Sequence, residues 1–334
     1  MLDVFKSDAF SLASLTEAII KAPFKAARIG GLSLFRERGI TTTSVVIEEK
    51  DGRLSLISPT PRGGPASTIG QQKRTARSFV VPHFERESKI MADEVQNVRA
   101  FGSEDAADSV QAIVNERLAD LRAMHEVTLE HMRAGAVKGI ILDADGGTIF
   151  NLFTEFGVSQ QTANINVDAT TDQKGVLLND VTAAQRLIED ELGAEPISGY
   201  RAFCGKTFFD GLRGDASFVE VRKFGERNAE LLAQPTGVRS FAFGGVVWEE
   251  YRGKNGATPF IPDAEAYLFP EGSNIFATYF APADYVETVN TIGLPLYAKI
   301  AADEQLNRWA LVHTQSNPLA LCLRPRAVVK LTLA

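Results

Sequence analysis

One stretch limits what this chain can fold into. Between residues 104 and 135 apolar side chains recur at Val110, Ile113, Val114, Leu118, Leu121, Met124, Leu129 and Met132, close to the period of an α-helix. Ser103 or Asp108 can cap its start, and Glu104, Asp105 and Asp108 suit the positive end of a helix. Gly135 and Gly139 offer a stop. A helix of about 30 residues measures ~45 Å at 1.5 Å per residue. Helices in compact domains average only about 11–12 residues. Such a helix asks for an elongated subunit in which it acts as a spine. Val110, Val114, Leu118 and Leu121 are the expected packing face.

The rest of the chain mixes strands and short helices without regular βαβ alternation, so the expected class is α+β. A short helix near 11–22, ended by Pro23, reads as an arm that must pack on something else. TTTSVVIEE and RLSLI flank Lys50-Asp51-Gly52-Arg53. Asp-Gly between β-branched runs predicts a hairpin, and its thin apolar content suits one that projects from the body. A second hairpin is expected around Asp145-Gly146-Gly147. A helix is expected over 180–192, stopped by Gly193 and Pro196. The last residues read as two strands separated by Ser316-Asn317-Pro318.

Charge is segregated along the chain. Residues 53–86 hold six basic side chains, Arg53, Arg62, Lys73, Arg74, Arg77 and Arg86, against one acid, Glu85. That is a local +5 in a chain of net −7, which leaves −12 on the other residues. A basic, turn-rich loop of this kind is either a solvated loop or a docking surface for an acidic neighbour. The acidic balance elsewhere excludes a surface built to bind nucleic acid throughout. With 334 residues, length allows about two domains. The N-terminus lacks the uninterrupted apolar block of a secretory signal, and no stretch reaches a membrane span. A soluble intracellular protein is the expectation.

Four histidines and two cysteines leave little for chemistry. They exclude a cysteine-rich zinc site and a disulfide framework, and no metal or cofactor is expected. GYRAFCGKT at 199–207 imitates a phosphate-binding loop but places five residues between its glycines where four are required. A nucleotide hydrolase built on Lys206 and Thr207 is the weaker alternative to a strand, a turn and a short helix. His125 and Glu126 open like a zincin motif, yet position 129 is Leu129. His131 lies about 240° around the helix from His125. Two partly exposed helix histidines are expected instead. Asp143-Ala144-Asp145-Gly146 lacks the third ligand of a calcium loop. Tyr279, Phe280, Tyr285 and Trp309 read as core or interface residues.

Several ordered segments carry a resemblance. FATYFAPADYVE at 276–287, TIGLPLYAK at 291–299 and QSNPLALCLRPR at 315–326 resemble the major capsid protein E family of tailed phages, which includes the lambda-type head proteins. GTIFNLFTEFG at 147–157 and FCGKTFFDGL at 203–212 add to the likeness, which runs over essentially the whole chain. The resemblance implies the Hong Kong 97-type capsid fold. Residues 1–35 would form an N-terminal arm and 36–82 an extended loop. Residues 83–174 would form a peripheral domain with the spine helix at about 104–135, and 175–290 an axial domain. Residues 291–334 would add C-terminal strands that complete the body. The implied function is self-assembly as hexamers and pentamers into an icosahedral shell around DNA that is not specifically bound. Another virion subunit, such as a tail tube or portal protein, is the alternative. Scaffold, portal and a decoration protein at three-fold positions are the implied partners, with no membrane. For lambda-type members a decoration protein takes the place of a covalent cross-link through a residue such as Lys50. Lys50, Asp51, Gly52, Arg53, Arg62, Lys73, Arg74 and Arg77 are the expected inter-subunit contacts of the extended loop.

Overall fold

The computed structural model describes residues 10–21, 27–50, 74–95, 106–167, 175–193, 195–216, 239–303, 305–306 and 308–334. Helices α1 (Leu12–Lys21) and α2 (Arg28–Gly31) precede strands β1 (Arg36–Gly39), β2 (Ser44–Lys50), β3 (Arg74–Val80) and β4 (Phe84–Met91). The short helix α3 (Ala92–Val95) leads to the long helix α4 (Ala106–Lys138). Then come β5 (Ile140–Leu142), β6 (Thr148–Asn151), α5 (Leu152–Phe156), β7 (Gln161–Ile165), α6 (Val176–Leu192), β8 (Gly199–Cys204) and α7 (Lys206–Gly214). Strands β9 (Ser240–Phe243), β10 (Val246–Glu250), β11 (Lys254–Asn255), β12 (Thr258–Pro259), β13 (Glu265–Glu271) and β14 (Phe276–Phe280) follow. The chain closes with β15 (Tyr297–Ala302), β16 (Trp309–Ser316), β17 (Pro318–Cys322) and β18 (Val329–Leu333).

Two compact units draw on interleaved stretches of the chain. The first takes residues 1–45, 79–133 and 277–320, and the second 46–78, 134–276 and 321–334.

In the first unit β16 is the middle strand of an antiparallel sheet, with β15 on one side and β4 on the other. Ala310, Val312 and Thr314 alternate inward along β16, as a strand with one covered face requires. The cover is α4. Val110, Val114, Leu118 and Leu121 are all buried there, in one cluster with Phe10, Leu15 and Ile19 of the N-terminal segment, Ile90 of β4, and Leu296, Ala298 and Val312. The Ala298 amide donates to Thr16 Oγ1 at 3.3 Å, which seats α1 against β15. The short helix expected near 11–22 therefore forms and packs against this sheet. A separate parallel pairing joins β1 to β14, with Arg36 opposite Ala277 and Gly39 opposite Phe280.

The second unit is built on a mixed six-stranded sheet in the order β7-β18-β13-β8-β10-β9. All five inner residues of β13 are buried, the mark of a strand covered on both faces. Helix α6 contributes Leu177, Val181, Ala184, Ile188 and Leu192. Helix α7 contributes Phe208, Phe209 and Leu212, with Phe208 stacked on Trp248 at 6.2 Å between ring centres.

Three local expectations are corrected. Of the two stops offered, Gly139 is the one used, so helix α4 runs past the expected bound at 135 to Lys138. Gly135 serves a close approach instead: a Cβ there would stand 3.0 Å from the Ile140 carbonyl oxygen. Gly139, at φ +83°, makes the stop, because only glycine enters this region without strain. The helix expected over 180–192 starts earlier, at Val176 after Gly175. The C-terminal residues form three strands rather than two, because Pro325 opens a single 3₁₀ turn (Pro325–Ala327) between β17 and β18. The hairpin around Asp145-Gly146-Gly147 forms as expected, between β5 and β6.

Leu118 tests the core directly. It is 1% exposed, so Leu118→Ala should destabilise the soluble subunit by about 2–5 kcal/mol. Met124→Ala, at a position 53% exposed on the same helix, should cost less than about 1 kcal/mol. Urea unfolding of both variants checks the contrast.

Candidate functional site

Next to its apolar stripe, α4 carries a second, polar line of side chains: Arg122, His125, Glu126, Glu130 and Arg133. Their spacing of three to four residues keeps them on one face. Arg122 Nη1 donates to the carbonyls of Ile19, at 2.5 Å, and Ile20. These are among the last carbonyls of α1, which no intrahelical amide satisfies, and a cation there also suits the helix dipole. Burial pushes the Arg122 guanidinium pKa down, against the opposing pull of Glu126.

Glu130 does the reverse at a helix start. Its carboxylate accepts from the amides of Ile29 at 2.8 Å and Gly30 at 3.2 Å. Helix α2 begins after Ala27, whose side chain has no acceptor, so the cap arrives from a hundred residues away. Arg133 Nη2 binds Glu37 Oε1 of β1 at 2.6 Å, and Arg133 Nε donates to Thr278 Oγ1 of β14 at 3.4 Å. Its guanidinium also lies 5.6 Å from the ring centre of Phe35. Arg122, His125, Glu126, Glu130, Arg133 and Leu296 are among the residues lining a cavity of about 210 Å³. Burial raises the Glu126 pKa, while Arg122 and Arg133 pull it down.

His125 is a correction: it is buried rather than partly exposed. Its Nε2 lies 3.0 Å from Thr314 Oγ1, and that hydroxyl donates to the Arg86 carbonyl at 3.0 Å. The hydroxyl proton is thus committed, which assigns the imidazole proton to Nε2. Burial, then the charges of Arg86 and His313, lower the His125 pKa to about 4. A second polar group lines the outer side of the same sheet. Tyr285 Oη lies 2.7 Å from His313 Nδ1, and Glu85 stands 3.4 Å from His313 Nε2 and 3.5 Å from His83 Nε2.

The nucleotide alternative fails on geometry in the second unit. Gly205 and Lys206 do join β8 to α7, but the space before the helix is filled by protein. A Cβ on Gly205 would stand 2.0 Å from the Pro262 carbonyl oxygen, and the Phe208 amide donates to the Asp263 carbonyl at 2.9 Å. The Gly205 amide donates to the Glu265 carbonyl at 2.9 Å, so it and the Phe208 amide face this chain's own backbone rather than an open phosphate cradle. Nearby, Arg201 is held between the buried Glu249 at 2.8 Å and Glu271 at 2.5 Å. Cys204 and Cys322 are free and buried. Burial pushes both thiols up, Cys322 to about 12. Among the described residues no group of three His, Cys, Asp or Glu side chains is arranged to hold a metal, and no helix is long and apolar enough to cross a membrane.

The residues expected in the extended loop are placed only in part. β2 and β3 pair as a two-stranded ribbon, with Lys50 on β2 and Arg74 and Arg77 on β3. The Arg77 guanidinium lies 5.0 Å from the ring centre of Phe156. Asp51, Gly52, Arg53, Arg62 and Lys73, and with them the expected hairpin tip, lie outside the described residues. The four expected helix-packing residues all sit in one core. Arg122, Glu130 and Arg133 were missed. The available signal was charge recurring at helical spacing beside an apolar stripe, which reads equally well as a solvated face.

The architecture is that of a phage capsid subunit. The capsid protein of the cyanophage P-SCSP1u matches with a TM-score of 0.51 and 13% identity, over 93% of this chain and 90% of its own. That likeness carries the fold alone. The family model for phage major capsid protein E matches residues 11–333, and the chain belongs to that family. The major capsid protein of Pseudomonas phage KPP10 is 26% identical over 96% of both chains, and that of Salmonella phage Felix O1 is 23% identical over 98% of both. The function that goes with the family is that of the major capsid protein of a tailed phage, a structural protein whose copies build the shell of the virion.

The buried histidine gives the first unit an acid limit. Its folded pKa of about 4 lies below the ordinary value of 6.5, so the unfolded chain takes up the proton first. Stability is then present above pH 6.5 and is lost as pH falls from 6.5 toward 4, by about 3 kcal/mol in full. Glu126, with its raised pKa, contributes in the opposite sense as pH rises. His125→Gln keeps a donor near the Nε2 position and removes the titration. Urea unfolding at pH 7, 5.5 and 4.5 should show a flatter pH profile for this variant than for the wild type.

Proposed function

We propose that the chain assembles as hexamers and pentamers into an icosahedral shell of the Hong Kong 97 type, enclosing DNA that it does not bind specifically. In this reading residues 1–35 are the arm, 36–82 the extended loop, 83–174 the peripheral domain and 175–290 the axial domain. Residues 291–334 return to complete the body. Assembly takes place in the host cytoplasm, with scaffold, portal and a decoration protein at three-fold positions as partners.

The observation that carries the reading is α4, 33 residues long. At 1.5 Å per residue it spans about 50 Å. A thin plate that overlaps its neighbours needs such a stiffener. The paired ribbon of β2 and β3 supports it, because ordered strands can add to the sheet edge of another copy. The +5 carried by residues 53–86 suits the acidic remainder of a neighbouring chain. Such complementarity fixes orientation more than it adds affinity.

Two variants of the full chain test the contact role of the loop. Lys73→Ser combined with Arg74→Ser removes two cations, and adding Arg77→Ser removes a third. Both should leave soluble capsomers and lower the yield of closed shells in electron microscopy, the triple variant by tenfold or more. Shells at wild-type yield from both would refute the contact. Rings or tubes from the wild-type chain would refute the shell reading itself.

A further inference from the structure

Strands β11 and β12 form a hairpin that stands on a buried base and ends in open space. At the base the Phe260 amide donates to the Gly253 carbonyl at 2.9 Å. Phe260 is buried, with its ring centre 6.5 Å from that of Tyr251. Beyond it Lys254 lies opposite Pro259, and Asn255 opposite Thr258. Gly256 and Ala257 are therefore the two loop residues, and their amides lie outside the ladder. Gly256 takes φ +57°, and a Cβ built on it would meet nothing within 4 Å. Residues 254–258 are all exposed.

Asn255-Gly256 is the one Asn-Gly step in the sequence. The backbone nitrogen that follows an asparagine can attack its side-chain amide carbon, and a side chain on the following residue obstructs the approach. Glycine has none. Asn164, Asn166 and Asn290 are exposed as well, but Ile165, Val167 and Thr291 follow them, and branching at Cβ crowds the nitrogen. Two of these side chains are also held: Asn164 Oδ1 accepts from Thr332 Oγ1 at 2.8 Å, and Asn166 Nδ2 donates to Asp180 Oδ2 at 2.9 Å. An unobstructed nitrogen, an amide carbon and open space coincide at Asn255.

We propose that Asn255 is a site of spontaneous deamidation, converted through a succinimide to isoaspartate and aspartate with water as the co-reactant. The Gly256 nitrogen gives up its proton to solvent and attacks Asn255 Cγ. A Cγ–N bond forms, the Cγ–Nδ2 bond breaks, and ammonia leaves after taking up a proton from solvent. Water then opens the ring at either carbonyl. Attack at Cγ gives aspartate in an ordinary backbone. Attack at the backbone carbonyl carbon gives isoaspartate, whose main chain runs through the former side chain. Nothing is oxidised or reduced. Either product puts a new negative charge beside Lys254. Isoaspartate also lengthens the main chain, which breaks the pairing of residue 255 with Thr258.

The test incubates the full-length soluble chain in mildly alkaline buffer, beside the guanidinium-unfolded chain and the variant Asn255→Gln. Peptide mass mapping, with fragmentation that separates isoaspartate from aspartate, follows the amide-to-acid exchange. In the folded wild type Asn255 should convert at least tenfold faster than Asn164, Asn166 and Asn290. It should keep at least a tenth of the rate in the unfolded chain, with isoaspartate as the larger product. Asn255→Gln, whose ring would need one more atom, should leave the peptide unconverted over the same time. A folded rate below a tenth of the unfolded one would show that the hairpin protects the site and would overturn the proposal. Aspartate without isoaspartate would overturn the succinimide route, and the same mass gain in the Asn255→Gln peptide would place the reaction elsewhere.

Discussion

Burial of one helical stripe holds the first unit together. Val110, Val114, Leu118 and Leu121 meet side chains from residue 10 to residue 312 in a single cluster. The partners gain stability from that contact. A ten-residue helix such as α1 is marginal in water, and a three-stranded sheet needs its apolar face covered. The long helix is thus the surface on which the N-terminal segment and the late strands meet. Chain segments remote in sequence become one core through it.

The polar line beside the stripe makes the packing specific. Apolar contact alone would tolerate a slide or rotation of α1 along α4. Arg122 on the final carbonyls of α1 does not, because a misplaced guanidinium would be buried without acceptors. Glu130 at the start of α2 and Arg133 between β1 and β14 set two further elements in the same way. Each of these ties joins groups at least 96 residues apart. They act less as sources of stability than as register marks, since a desolvated pair returns little net energy.

The second unit obeys the same economy with different means. Its central strand is buried on both faces, its helix start abuts the Pro262–Asp263 backbone, and its cysteines are sealed away as thiols. His83, His125 and His313 are each engaged with a neighbouring side chain.

Much of the local plan was legible in advance. The period of residues 104–135, the Asp-Gly-Gly turn at 145–147 and the ordered family segments each lie within a short window, and short-range spacing is what a helix, a turn or a motif reads. Errors came where a residue had two uses. Gly135 reads as a helix stop but permits a close approach to Ile140, and His125 reads as half-exposed but sits buried against Thr314. The sequence by itself determined that this chain forms a long amphipathic helix among short strands, in the pattern of a capsid family. Only the tertiary structure decided which strands pair, which charges are buried and which glycines admit another backbone. Those outcomes depend on groups that meet across a hundred or more residues, and no local spacing encodes which distant partner will satisfy a given donor or acceptor.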